Sequence, residues 1–146
     1  MTISFTKYQA TGNDFILIDN RDGKIVLSRE EIVQLCDRKF GVGADGLILI
    51  EASTLAPFNV NYFNSDGSQS LCGNGSRAAV HFAASLHLLQ DHTLFNAYDG
   101  LHKASLLQND VVSLRMNDTA PAIMKGGEIF LNTGSPHVVR FVDGLE

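Results

Sequence analysis

Cysteine is scarce in this chain: 146 residues carry two, Cys36 and Cys72. They lie far apart and form no CxxC pair, so a disulfide framework is not expected and a reducing cytoplasm is the expected setting. Basic clusters are lacking as well. Lys and Arg total 11 against 16 Asp and Glu, for a formal charge of -5, which argues against nucleic acid and against an anionic membrane surface as partners. No apolar run approaches the roughly 20 residues of a membrane span. The N-terminal residues Met1-Thr2-Ile3-Ser4-Phe5-Thr6-Lys7 have no signal-peptide layout. Short-period repeats and low-complexity tracts are absent. What remains is ordinary globular composition, 45% hydrophobic and 18% charged, in a chain long enough to bury a core.

In chain order, residues 2–9 read as a first strand, Ala10 to Asp14 as a turn, and Phe15 to Asp19 as a buried strand. Ser28-Arg29-Glu30-Glu31 fits a capping box. The helix it opens shows Ile32, Val33, Leu35, Cys36 and Phe40 on one face, with Gly41 as a left-handed stop. Gly41 to Gly46 is a glycine-rich loop before the strand Leu47 to Ile50. Phosphate loops follow a strand and open a helix, and this one does the reverse, so tight turning is the preferred reading. Phe58 to Phe63 is another strand. A nearly all-apolar helix is predicted from Asn74 to Gln90, with Arg77, His81 and Ser85 as its polar stripe. His81 and His87 are expected to pack or face solvent on it. Such a helix must be enclosed, and its many alanines suit close approach, so sheets wrapped around one central helix are expected. Thr93 to Tyr98, Leu101 to Gln108 and Val111 to Met116 complete the strands, with hairpin turns at Asp99-Gly100 and Asn109-Asp110. Asn117 to Lys125 reads as a linker. It is followed by the strand Glu128 to Asn132, the loop Thr133 to His137 and the strand Val138 to Val142. The expected division is a first domain over 1–117 and a linker with the first strands of an incomplete second domain over 118–146.

The stretch that carries chemistry is Phe63 to Arg77. A Ser-Asp-Gly turn leads to Cys72, then Gly73-Asn74-Gly75, then the apolar helix. Unpaired N–H groups and the helix dipole favour negative charge at that end. A cysteine there is expected to ionise more readily than a free thiol, and a carboxylate ligand would settle on the same N–H groups. No His or Cys lies within three or four residues of Cys72, so no metal is expected. As a nucleophile Cys72 would need a histidine such as His137 nearby. As a base it would need a substrate with an acidified C–H and a held carboxylate, and Gly73-Asn74-Gly75 supplies that hold. Cys36, on an apolar helix face, reads as inert packing. Asn13, Asn64 and Asn74 each adjoin a tight turn, and together they could read both ends of a zwitterion, because amides donate and accept. His137 could stabilise a thiolate charge. Arg77 either serves its own helix stripe or holds Asp66.

Thr11-Gly12-Asn13-Asp14-Phe15, Gly41-Val42-Gly43-Ala44-Asp45-Gly46, Phe63-Asn64-Ser65-Asp66-Gly67-Ser68, Cys72-Gly73-Asn74-Gly75-Ser76-Arg77 and Gly134-Ser135-Pro136-His137 together resemble the diaminopimelate epimerases. These are pyridoxal-independent enzymes of lysine and peptidoglycan precursor synthesis. The resemblance covers essentially the whole chain. It implies an α/β fold of two similar domains, each a set of mixed strands curled around a central helix. It further implies no cofactor, diaminopimelate as the small-molecule substrate, and a two-cysteine proton transfer with Cys72 as one base. Asn13, Asn64, Gly73 and Asn74 are implied as substrate contacts and His137 as the group that tunes the cysteines. Homodimers are common in the family. The second cysteine loop and the Glu-Arg pair of the family's other domain are not in these 146 residues, so the chain alone is expected to be inactive. Gly46, Ser135 and Ala78 depart from the common Gln, Asn and Cys. A racemase or isomerase of another amino acid, or a non-catalytic amino-acid binder, are the competing readings.

Overall fold

Residues 15 to 18 alternate between two cores. In the computed structural model, which describes residues 2–134 and 136–144, Phe15 and Leu17 join one buried cluster, while Ile16 and Ile18 join another. The chain forms two compact units, residues 1–116 and 117–146.

In the first unit, β1 (Thr6–Ala10) and β2 (Asn13–Asp19) form an antiparallel hairpin. Its two-residue turn, Thr11-Gly12, has φ of 52° and 90°, the mirror-image turn that matches strand twist. β2 then pairs in parallel with β3 (Gly46–Glu51), and the crossover between them carries α1 (Arg29–Cys36). Strands buried on both faces read as continuous apolar runs. Leu47 and Leu49 face the α1 side with Ile32 and Cys36, and Ile48 and Ile50 face the other side. β4 (Asn59–Asn64) pairs antiparallel with β3. α2 (Gly73–Ser85) follows, then β5 (His92–Ala97), β6 (Gly100–Leu106) and β7 (Val112–Arg115). Among the described residues the sheet order is β1-β2-β3-β4-β5-β6-β7. α2 touches β1, β2, β3, β4, β6 and β7, with Ala79, Val80 and Ala83 at 0% exposure. The sheet thus curls around α2, the mixed α/β arrangement the sequence implies.

Several predicted boundaries move. The capping box is present, with Ser28 Oγ accepting from Glu31 N–H and Glu31 returning to Ser28 N–H. However, α1 ends at Cys36. Asp37 Oδ1 captures the N–H groups of Lys39 and Phe40 at 2.7 Å each, local bonding that competes with the helix. Phe40 thus falls outside the helix and is 87% exposed, and Val33, within α1 but off the face that Ile32 and Cys36 bury, is 42% exposed. Gly41 is not a left-handed stop. It is required because a Cβ there would lie 2.0 Å from the Gln34 carbonyl oxygen. α2 ends at Ser85 and not at Gln90. His87 adopts φ 61°, while Leu88 N–H reaches Ala83 O and His87 N–H reaches Ala84 O, a Schellman closure. His87 thus lies beyond the helix. Leu86, Leu88 and Leu89 still pack on the core after the chain has turned, which is why the apolar pattern outruns the helix.

In the second unit, β8 (Ile123–Lys125), β9 (Glu128–Asn132) and β10 (Pro136–Val139) form an antiparallel meander. The predicted linker therefore stops short of Ile123. Gly126 and Gly127, at φ 61° and 82°, are the hairpin turn that lets Lys125 face Glu128. His137 lies in β10 opposite Leu131, in a strand and not in a loop. Ser135 lies outside the described residues. No helix of the described residues is long and apolar enough to cross a membrane.

Candidate functional site

β4 ends at Asn64, and the chain reverses through residues 65–67. Asn64 N–H bonds Ser68 O and Gly67 N–H bonds Asn64 O, with Gly67 at φ 77°. Asp66 Oδ1 accepts from both the N–H and the hydroxyl of Ser68. The chain then reaches Cys72, the N-cap of α2, in an extended conformation. Cys72 Sγ accepts the Gly75 N–H at 3.3 Å, and its carbonyl accepts the Ser76 N–H at 2.8 Å. Among the described residues no protein acceptor takes the N–H of Gly73 or Asn74. The first turn of α2 therefore presents a partly buried sulfur and two open donors at its positive end. A Cβ at Gly75 would meet Cys72 Cβ at 3.3 Å and both Ile48 and Tyr62 at 3.4 Å, so glycine there lets the helix start close to the sheet.

A polar chain runs from this turn into the β1–β2 hairpin. Asn74 Nδ2 donates to Asn13 Oδ1 at 2.7 Å, and Asn13 Nδ2 donates to Asp45 Oδ2 at 3.0 Å. Arg38 bridges Asp14 at 2.7 Å and Asp45 at 2.8 Å, and Lys7 pairs with Asp14 at 2.8 Å. The Arg38 guanidinium, with help from Lys7, holds the Asp14 carboxyl well below the usual carboxylate range despite some burial. The Asn13 amide is the main cause that lowers Asp45. Hydrogen bonds to a charged carboxylate favour the charged form.

The structure brings Asn13 and Asn74 into direct contact and places Cys72 and Gly73 at the same turn. Asn64 joins through Tyr62, whose hydroxyl donates to Asn64 Oδ1 at 3.0 Å. Burial, and next the Cys72 sulfur, push the Tyr62 phenol up. His137 belongs to the second unit, where its Nε2 lies 3.1 Å from Thr133 Oγ1. Arg77 does not hold Asp66, whose carboxylate is taken by Ser68 and whose carbonyl accepts from Arg29 Nε. Its Nη1 lies 3.3 Å from where a Gly73 Cβ would stand, over the first turn of its own helix. Both cysteines are free thiols. Cys36 is 3% exposed, in the cluster on the α1 side of the sheet, and Cys72 packs on the α2 side. Burial pushes the Cys36 thiol up.

Residues 41–46 cradle no phosphate. The N–H groups of Val42 and Gly43 go to Leu35 O, that of Ala44 to Cys36 O and that of Asp45 to Asp14 O. Sequence reasoning missed Asp45 and Tyr62. Asp45 had a signal, as the one carboxylate within the glycine-rich loop. Tyr62 had a weaker one, two residues before Asn64 and so on the same strand face.

The family model described as diaminopimelate epimerase matches residues 5–120. The diaminopimelate epimerase of Flavobacterium psychrophilum is 50% identical over 141 residues, covering 95% of this chain and 55% of that protein. That of Chlorobaculum tepidum is 40% identical over 146 residues, covering 92% and 56%. The chain thus spans little more than half the length of these relatives. Among solved structures, the Bacillus anthracis phenazine biosynthesis protein of the PhzF family superposes with a TM-score of 0.71 over 94% of this chain and 55% of that one, at 17% identity. That likeness shows the fold alone. A curled sheet around α2, a cysteine capping that helix, and a family match spanning both leave one conclusion: the chain belongs to the diaminopimelate epimerase family.

Proposed function

We propose that this chain supplies the Cys72 half of a two-base site that interconverts LL- and meso-diaminopimelate in the cytoplasm. The observation that carries the reading is Cys72 at the N-cap of α2, with its sulfur on the Gly75 N–H and the Gly73 and Asn74 N–H groups open beside it. The substrate α-carboxylate binds those two donors. The Cys72 thiolate takes the α-proton, the C–H electron pair moves into the carboxylate, and the helix end stabilises the charge that develops there. A thiol from the opposite side returns a proton to the other face of the carbon. Cys36 cannot be that thiol, because it is buried on the far side of the sheet. The second base therefore comes from elsewhere, and 118–146 reads as the linker and first strands of a second, similar domain. In that reading Asn13, Asn64, Gly73 and Asn74 contact substrate, His137 tunes the cysteines, and the assembled enzyme is a homodimer.

The test is uptake of deuterium at the α-carbon of LL-diaminopimelate in deuterated water. The 146-residue chain is expected to exchange at a negligible rate. A longer protein that continues this chain into a cysteine-bearing second domain is expected to exchange, and Cys72→Ser in it to lose exchange while Cys36→Ser keeps it. Full exchange by Cys72→Ser would overturn the assignment. Diaminopimelate binding without exchange in the longer protein would mark a binder.

A further inference from the structure

Tyr62 occupies a slot made by two glycines. Its Cε2 lies 2.5 Å and its hydroxyl 2.9 Å from where a Gly46 Cβ would stand, and its Cδ2 lies 3.4 Å from where a Gly75 Cβ would stand. Phe15 meets the ring edge-on, with centroids 6.1 Å apart. The residue is 8% exposed. The phenol is thus wedged between the start of β3 and the first turn of α2, beside Cys72, and its hydroxyl donates to Asn64 Oδ1.

That bond fixes which way the Asn64 amide faces. The two hydrogens on Asn64 Nδ2 are directed at three oxygens, Ser68 O, Ser68 Oγ and Ser70 Oγ, each at 3.1 Å. An amide with its donors engaged keeps acceptor capacity alone. We propose that Tyr62 is a positioning and specificity residue, which locks Asn64 so that the Tyr62–Asn64 pair offers lone pairs and no hydrogens to a ligand. Such a pair takes an ammonium group and rejects a carboxylate. The open N–H groups of Gly73 and Asn74 do the reverse. The two patches together set the direction in which a zwitterion lies. Burial and the adjacent sulfur keep the phenol in its neutral, donating form. The assignment rests on the proposed amino-acid substrate only for the identity of the ligand; the locking of Asn64 is a property of the chain.

The test uses the 146-residue chain and Tyr62→Phe, which keeps the ring and removes the hydroxyl. Alkylation of Cys72 by iodoacetamide is followed by mass spectrometry with diaminopimelate or with pimelate, its analogue without amino groups. Diaminopimelate is expected to protect Cys72 better than pimelate does. In Tyr62→Phe its half-protecting concentration is expected to rise about tenfold, as for loss of a hydrogen bond that orders a charged contact, with pimelate unchanged. Equal half-protecting concentrations in both proteins would overturn the inference and leave the proposed function standing. Absence of protection by diaminopimelate in the unmodified chain would count against the proposed function. The locking is then decided by NMR of the unmodified chain: slow solvent exchange of both Asn64 side-chain amide hydrogens upholds it, and fast exchange overturns it.

Discussion

The side-chain amide of Asn74 donates to the side-chain carbonyl of Asn13 across 2.7 Å and 61 residues of chain. The bond ties the first turn of α2 to the β1–β2 hairpin. Asn13 Nδ2 in turn donates to Asp45 Oδ2, so the link runs on to the loop before β3. Asn13 thereby sets the direction of the Asn74 amide at the start of α2.

Asn13→Ala should leave the partly buried Asn74 Nδ2 without its partner and take from Asp45 Oδ2 one of its two hydrogen bonds, the Asp14 N–H remaining. Loss of such bonds costs about 1–3 kcal/mol. Urea denaturation of the 146-residue chain should show a midpoint lowered accordingly, with an unchanged slope. An unchanged midpoint would mean that the Asn74–Asn13–Asp45 chain is not formed in solution.

Acid should unfold this unit through Asp14. Arg38 and Lys7 lower its folded pKa, and so its contribution is fully present above the unfolded value near 4 and is lost as pH falls through the depressed folded value. Stability should therefore decline steadily below about pH 4. Arg38→Met should raise the pH of the acid transition followed by circular dichroism, and Asp14→Asn should flatten the decline. A pH-independent melting temperature between neutrality and strong acid would contradict this.

The two thiols should react very differently. Iodoacetamide at neutral pH is expected to modify Cys72, which is partly exposed, and to spare Cys36, which is 3% exposed and destabilised as a thiolate by burial. Peptide mapping after brief treatment decides the point, and labelling of Cys36 ahead of Cys72 in folded protein would refute it.

Gly41→Ala should be among the more damaging single-methyl additions. The new Cβ meets the Gln34 carbonyl at 2.0 Å and the Leu35 carbonyl at 2.7 Å, and forced overpacking typically costs about 1–3 kcal/mol. Gly23→Ala is an instructive control, since its Cβ meets nothing within 4 Å but its backbone sits at φ 69°. Thermal melts of the two variants separate crowding from backbone strain.

Much of this was legible in the residues. Ser28 and Glu31 announced the start of α1, and Cys72-Gly73-Asn74-Gly75 the start of α2, because caps are local chemistry. The ends were harder to read. Asp37 ended α1 by a side-chain bond of its own, and Leu88 kept packing after His87 had turned the chain, so periodicity alone overran both helices. Gly126-Gly127 read only as the lead into the strand at Glu128 and not as a hairpin turn, because its partner segment Ile123 to Lys125 has three exposed residues and no apolar pattern of a buried strand. Tyr62 escaped notice because an aromatic residue in a strand is ordinarily core. Its significance lies in where the hydroxyl ends, which depends on Gly46 and Gly75 arriving from two other elements.

The sheet that separates the two sulfurs also sets what oxidation can do to this chain. A sulfenic acid at Cys72 has no second thiol of its own unit on its side of the sheet, so it cannot be resolved by an internal bridge there. Peroxide damage must instead be capped by a thiol from outside, such as glutathione, or proceed to the irreversible sulfinic state.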